Sequence, residues 1–174
     1  SNVKSMKNMF KNAFRFNHLI STWNTSSVTT MESMFDGANM FNQNINRWQV
    51  QKVKTMKNMF KKAKVFNQPL DHWNVTNVES MEGMFDGASE FQGGVGKWQT
   101  ASVVSMKNMF KNAKVFHEPL GDWKVTNVES MEGMFEGAEQ FGDGTLNLWH
   151  TSKVKSMKNM FKRATLFNSD ISKW

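Results

Sequence analysis

The chain has 174 residues, with 22 Lys and Arg against 15 Asp and Glu, a formal net charge of +7 and no cysteine. The missing cysteines exclude disulfide staples, no apolar run reaches the roughly 18 residues of a membrane-spanning helix, and two prolines without a Pro/Ser-rich stretch leave no interior linker. The positive charge invites a polyanion partner only if it gathers on one face.

The first recognisable unit is Met6-Lys-Asn-Met9-Phe10-Lys-Asn-Ala13, and it returns six more times. Val3, Val28, Val53, Val78, Val103, Val128 and Val154 mark one phase with a period of 25, one extra residue entering before the last copy. Seven rungs follow, at 3–27, 28–52, 53–77, 78–102, 103–127, 128–153 and 154–174. Among all Met, Phe and Trp residues only Phe14 and Met40 fall outside the register. Rung charges run +4, 0, +4, −3, +2, −4 and +4, so the net value reflects four odd rungs against three even ones and no uniform basic face.

Within the fourth rung, Val78, Met81, Met84/Phe85, Ala88 and Phe91 sit three or four apart, the stripe of an amphipathic helix. Thr76-x-x-Glu79 matches a capping box ahead of it. The position two after the Met-Phe phenylalanine reads Asn12, Gly37, Lys62, Gly87, Asn112, Gly137 and Arg163, and five of these types tolerate a left-handed backbone, so the helix should end or kink there. After polar residues such as Gly93-Gly94 comes a short apolar alternation, Leu70-Asp-His-Trp73-Asn-Val75 in the third rung, which reads as a strand. The extra residue falls between Phe141 and Leu146 and marks that edge as a loop. The expectation is an α/β repeat solenoid, with one short helix and one short strand per rung. Helices about 8–10 Å apart stacked beside strands about 4.8 Å apart would wedge it into a curve with tryptophans on the concave side. The register, running from just before Val3 to Trp174, predicts a section of a longer array.

Candidate chemistry is sparse. Seven Met-x-x-Met pairs could offer soft ligands to copper(I), but they share the stripe with Val, Phe and Ala and read as core. His18, His72, His117 and His150 occupy four different phases, so no zinc site repeats and no cofactor is expected. Glu82 and Asp86 lie four apart on one face beside lysine rungs, without the convergent unlike groups of an active site, and no enzyme is expected. Trp23, Trp48, Trp73, Trp98, Trp123, Trp149 and Trp174 form a candidate aromatic column that, if exposed, would stack on glycans or bases. Asn24-Thr-Ser26 and Asn74-Val-Thr76 are N-glycosylation triplets at one phase.

The sharpest pattern is a charge ladder. One column reads Lys7, Glu32, Lys57, Glu82, Lys107, Glu132, Lys158 and a second Lys11, Asp36, Lys61, Asp86, Lys111, Glu136, Lys162. Each charge has opposite neighbours on the rungs above and below, which specifies register, since a one-rung slip sets like charge on like. Thr76–Ala88 and Thr126–Ala138 differ only at Asp86/Glu136, which marks two rungs as the unit of duplication.

The unit Asn-Val-x-x-Met-x-x-Met-Phe-x-x-Ala-x-x-Phe-Asn-x-x-(Ile/Leu)-x-x-Trp, as at Asn2–Trp23, resembles the BspA-like repeats of bacterial and mycoplasma surface proteins, relatives of leucine-rich repeats. The chain departs from it at Gln92, His117 and Gly142. The resemblance covers all seven rungs. It implies a non-enzymatic structural or protein-interaction module for adhesion or assembly, located at the cell surface or outside it. Other protein subunits would contact the terminal rungs, with a host or matrix surface as a further partner. A glycan, polyanion or nucleic-acid binder using the Trp or Lys column is the alternative.

Overall fold

An α-helix needs an unbroken run of residues at φ near −63°, and no rung supplies one. The computed structural model describes residues 2–174. Every rung places two residues four apart in the left-handed region: Asn8 and Asn12 at 59° and 60°, Gly83 and Gly87 at 60° and 76°, Asn159 and Arg163 at 59° and 62°. Each left-handed non-glycine residue costs roughly 1–2 kcal/mol, so Asn and Gly dominate these sites.

The stretch folds instead as a ribbon of consecutive turns. In the first rung the amides of Met9, Lys11, Ala13 and Phe16 donate to the carbonyls three residues back, at 3.0–3.3 Å. Positive φ falls on the third residue of the turns Met6–Met9 and Phe10–Ala13, where a type II turn requires it. The intervening amides point along the stack: Met6, Asn8, Phe10 and Asn12 donate to the carbonyls of Thr30, Glu32, Met34 and Asp36. The same four bonds recur at all six rung interfaces, at 2.6–3.1 Å. Backbone polar groups are thus satisfied alternately within a rung and by the next one, which meets the demand that buried N–H and C=O groups be paired.

This overturns the α/β solenoid with one helix and one strand per rung. Among the described residues the only helix is the 3-10 turn Leu146–Leu148, and pairing is limited to isolated parallel bridges running Ser5, Thr30, Thr55, Ser80, Ser105, Ser130, Ser156. The helix expected over Val78–Phe91 is turn ribbon. The strand expected over Leu70–Val75 is instead a turn, closed by the Trp73 amide on the Leu70 carbonyl at 3.1 Å, and a second turn follows from Val75, closed by the Val78 amide on the Val75 carbonyl at 2.9 Å. No capping box forms, because Thr76 Oγ1 donates to Asn74 Oδ1 at 2.7 Å and the Glu79 amide to the Lys54 carbonyl at 2.8 Å. Without helices the spacing mismatch that would wedge the rungs into a curve has no source. The expected break two residues after the Met-Phe phenylalanine does occur, with φ of 56–76° at all seven positions.

Repetition turns identical residues into columns. The first Phe column stacks ring on ring from Phe10 to Phe161, with centroids 5.5–5.7 Å apart and planes within 10°. A second runs from Phe16 to Phe167 at 5.8–6.4 Å. Met81, Met84, Phe85, Ala88 and Phe91 are all fully buried, and burying a side chain the size of Met or Phe contributes about 1.5–3 kcal/mol. An asparagine column runs beside them: Asn17, Asn42 and Asn67 each accept, through Oδ1, the amide of the residue 25 further on at 2.8–3.0 Å. It stops where the sequence turns to Gln92, His117 and Gly142.

Candidate interaction surface

The turn ribbon fixes the charge columns. Residues 7 and 11 of the first rung lie between the inward Met6, Phe10 and Ala13, so their side chains leave the core on the outer face. The 25-residue stacking then sets each beside its counterpart. Lys7 meets Glu32 at 3.0 Å, Lys57 meets Glu82 at 3.1 Å and Lys107 meets Glu132 at 3.2 Å. In the second column Lys11 meets Asp36 at 3.4 Å, Lys61 meets Asp86 at 3.3 Å and Lys111 meets Glu136 at 2.8 Å.

These contacts are directional. In the first, third and fifth rungs both ladder lysines reach the following even rung, while Glu32, Asp36, Glu82 and Asp86 make no ion pair with the next odd rung among the described residues. The ladder expected from sequence, with every charge held from both sides, is therefore a series of two-rung clasps. Glu136 is the exception, bridging Lys111 and also Lys162 at 3.3 Å. Its carboxyl is held below the usual carboxylate range, first by the Lys111 hydrogen bond and further by Lys162, against an opposing push from desolvation.

Sequence reading missed several lateral pairs. Lys54 meets Glu79 at 3.2 Å, Lys114 meets Glu139 at 3.2 Å, Lys155 meets Glu129 at 2.7 Å and Lys97 meets Asp122 at 2.6 Å. The Asp122 carboxyl is lowered by its Lys97 hydrogen bond and the Glu129 carboxyl by its Lys155 hydrogen bond. The signal was present as opposite charges 25 or 26 residues apart, outside the two columns that alternate without a break.

The tryptophan column lies inside. Trp48, Trp73, Trp98, Trp123 and Trp149 are 2–3% exposed, and Trp23 and Trp174 are partly buried against the core. Each indole N–H from Trp48 to Trp174 donates to an apolar residue's carbonyl one rung back, such as Trp98 Nε1 to Leu70 O at 3.0 Å. A large amphipathic side chain is buried when its N–H finds such a partner. The exposed aromatic ladder suggested by the sequence is therefore overturned for Trp48, Trp73, Trp98, Trp123 and Trp149, whose buried rings cannot stack on glycans or bases, and only Trp23 and Trp174 keep part of a ring exposed.

The remaining candidates are dispersed. Met34, Met59, Met84, Met109 and Met134 are fully buried as core. His72 lies 3.5 Å from Asp71 and His117 Nδ1 lies 2.9 Å from the Val115 carbonyl, and the described residues contain no group of three His, Cys, Asp or Glu side chains arranged as a metal site. Asn24 and Asn74 are exposed and accept the hydroxyls of Ser26 and Thr76 at 2.7 Å, closing local turns. Glu82 and Asp86 are both held by lysines and line no cleft.

A cleft of about 410 Å³ opens at the loop edge of the third to sixth rungs, beside Asp71, Gly94, Lys97, Glu118 and Asp122. Its carboxylates are engaged. Glu118 accepts the amides of Gly94, Val95 and Gly96 at 2.9, 2.6 and 3.2 Å, Asp71 accepts Asn46 Nδ2 at 2.9 Å, and Asp122 holds Lys97. These carboxylates order loops rather than leaving an acid and a base poised over a substrate. Where the extra residue enters, Asp143 accepts the Leu120 amide at 2.7 Å and the Thr145 amide and hydroxyl at 2.8 and 2.6 Å, absorbing the insertion in a turn. No helix among the described residues is long and apolar enough to cross a membrane.

A family described as "Mycoplasma protein of unknown function, DUF285" matches this chain twice, over residues 1–96 and over residues 69–174. No curated protein matches the sequence.

Proposed function

The chain belongs to that family along its whole length, and from this premise we propose that it is a non-enzymatic structural or protein-interaction repeat module of the BspA-like kind, displayed at a cell surface or built into an assembly. The observation that carries this reading is where the reactive side chains go. Lysines and carboxylates clasp one another across rungs at 2.6–3.4 Å, and aromatic rings and methionines fill the interior. Catalysis needs unlike groups converging on one point with a nucleophile, an acid or an oxyanion donor left available; this chain instead spreads like groups along a line. A long repetitive face suits recognition of an extended partner or of more of the same architecture.

Polyanion binding is less well supported, because the lysines of both ladder columns in the first, third and fifth rungs are matched by carboxylates. The test is binding of the folded chain to intact cells and to immobilised extracellular-matrix proteins, beside heparin and duplex DNA across a salt series. Saturable protein or cell binding that survives physiological salt is expected. Binding confined to the polyanions, falling steeply with salt, would overturn the module reading in favour of the polyanion one.

A further inference from the structure

The 25-residue period is broken once, between Phe141 and Leu146, and the surface beside that break departs from the pattern of its column. Where the second to fifth rungs carry Arg47, His72, Lys97 and Asp122, the sixth carries Leu148. This residue ends the 3-10 turn Leu146–Leu148, so that Leu146 enters the core while Leu148 stands 60% exposed. One position earlier, the second and third rungs have Asn46 and Asp71, but the fourth and fifth have Gly96 and Gly121. Packing demands these glycines: a Cβ on Gly96 would lie 2.7 Å from the Pro119 carbonyl oxygen, and one on Gly121 would lie 2.5 Å from Thr145 Oγ1. The surface there is bare backbone with an apolar side chain standing beside it.

Two clefts open against Leu148, and the Lys97–Asp122 pair borders both. The first, of about 410 Å³, lies over the glycines between Asp71 and Thr145. The second, of about 480 Å³, lies beside Gln99, Lys124 and His150. Their charges differ. Around the first, Asp71, Glu118 and Asp122 outnumber Lys97, although the chain as a whole carries +7. Glu118 uses both oxygens on backbone amides, but the two aspartates use one each, Asp71 Oδ1 on Asn46 Nδ2 at 2.9 Å and Asp122 Oδ2 on Lys97 Nζ at 2.6 Å. Asp71 Oδ2, with His72 Nε2 3.5 Å away, and Asp122 Oδ1 accept no hydrogen bond among the described residues. Around the second cleft the balance reverses, with Lys97, Lys124 and His150 beside Asp122. A sugar would find no ring to stack on, because Trp123 is 2% exposed, and the carboxylates of the first cleft disfavour a phosphate chain.

We propose that this double groove is a docking site for an extended segment of a partner protein in which a lysine or arginine, an apolar residue and an acidic residue stand at alternate positions. In an extended strand residues two apart face the same side, about 6.6 Å from one another. Such a segment sets its cation between Asp71 and Asp122, its apolar side chain against Leu148 and its carboxylate beside Lys124 and His150. Each cleft falls in the range of about 300–1,000 Å³ typical of ligand sites, and insertions in repeat proteins fall on loops of one face, which is often the binding face. The inference deepens the interaction-module reading by naming the partner's chemistry, and rests on that reading for its setting.

An NMR titration of the isotope-labelled full chain tests this, with the end-blocked pentapeptide Arg-Gly-Leu-Gly-Glu as probe. The amide signals of Gly96, Gly121 and Leu148 should shift and saturate with a dissociation constant of about 1 mM or below. The peptides Ser-Gly-Leu-Gly-Ser and Arg-Gly-Ser-Gly-Glu should each bind at least about fivefold more weakly, since they lack the charged or the apolar contact. In the protein, Asp71→Asn with Asp122→Asn should weaken the arginine peptide about threefold or more and leave the serine-ended peptide unchanged. Leu148→Ser should weaken both leucine-containing peptides. All three replaced side chains are exposed, and unshifted Phe85 and Phe110 amides verify that the interior of each variant is folded. The proposal is overturned if no signals at the groove move up to about 10 mM peptide, if the shifts spread evenly along the charged columns, or if the charged peptide binds no better than the serine-ended one. Any of these failures leaves the cell- and matrix-binding measurement standing, since that reads the whole surface of the stack rather than this groove.

Discussion

Replacing Glu82 and Asp86 together by Lys turns the fourth rung into an odd-type rung and asks what the clasps contribute. Two ion pairs are lost, Lys57–Glu82 at 3.1 Å and Lys61–Asp86 at 3.3 Å, with carboxylates 31% and 16% exposed. Pairs of this kind are worth about 0.2–1 kcal/mol each. The new lysines also face Lys57 and Lys61 on one side and Lys107 and Lys111 on the other, and like charges directly opposite cost a similar amount. The sum is a loss of about 1–3 kcal/mol at low salt. The uncharged control, Glu82→Gln with Asp86→Asn, removes attraction without adding repulsion and should lose less than half of that. Urea midpoints at low salt and at about 1 M, where the screening length is about 3 Å, separate the terms. Most of the lysine variant's loss should vanish in high salt, the remainder coming from the more buried Asp86 site. No loss at low salt, or a loss independent of salt, would refute the reasoning and leave the alternation as a trace of duplication.

Trp98→Phe keeps a ring in the column but orphans the buried Leu70 carbonyl, now 3.0 Å from Nε1; a loss of about 1–3 kcal/mol is expected in urea unfolding, and an unchanged midpoint would show the indole bond to be dispensable. Lys62→Gly removes a side chain from a residue held at φ 56° and should stabilise by about 1 kcal/mol, seen as a raised melting temperature; a destabilised variant would mean that the side chain contributes more than the backbone strain costs. Gly133→Val places a branched side chain at φ 60° where a Cβ collides with Asn108 Oδ1, and should lose more than about 2 kcal/mol. Because Glu136 titrates below its ordinary value of about 4.5 through Lys111 and Lys162, the stability it adds is present at pH above that unfolded value and disappears as pH falls through the lower folded value. Glu136→Gln should therefore flatten the acid limb of a melting-temperature profile, and an unchanged limb would count against the clasp.

The apolar letters were legible because a period of 25 sets them in columns whatever the backbone does between them. Met6, Phe10, Ala13 and Phe16 point inward in a helix and in a turn ribbon alike, so spacings of three and four could not separate the two. The discriminating signal was a second left-handed position four residues before the one identified, at Asn8, Ser33, Asn58, Gly83, Asn108, Gly133 and Asn159. Read together, Asn8 with Asn12 and Gly83 with Gly87 forbid a helix across the phrase. The lateral ion pairs were equally visible as charges one period apart, yet nothing local said which side chains would be within reach.

The sequence by itself determined the period, the rung boundaries by phase, the residues that form the core and the alternation of charge, since each is a property of letters repeated at fixed separation. The tertiary structure decided where each amide sends its hydrogen bond, whether the tryptophans face water, and which of two opposite neighbours a carboxylate clasps. Those outcomes depend on the rung 25 residues away. The Phe10 amide can leave its own turn only because the Met34 carbonyl waits 2.8 Å off, and Trp98 can bury its indole only because Leu70 presents an oxygen to it. A single rung read alone contains neither partner.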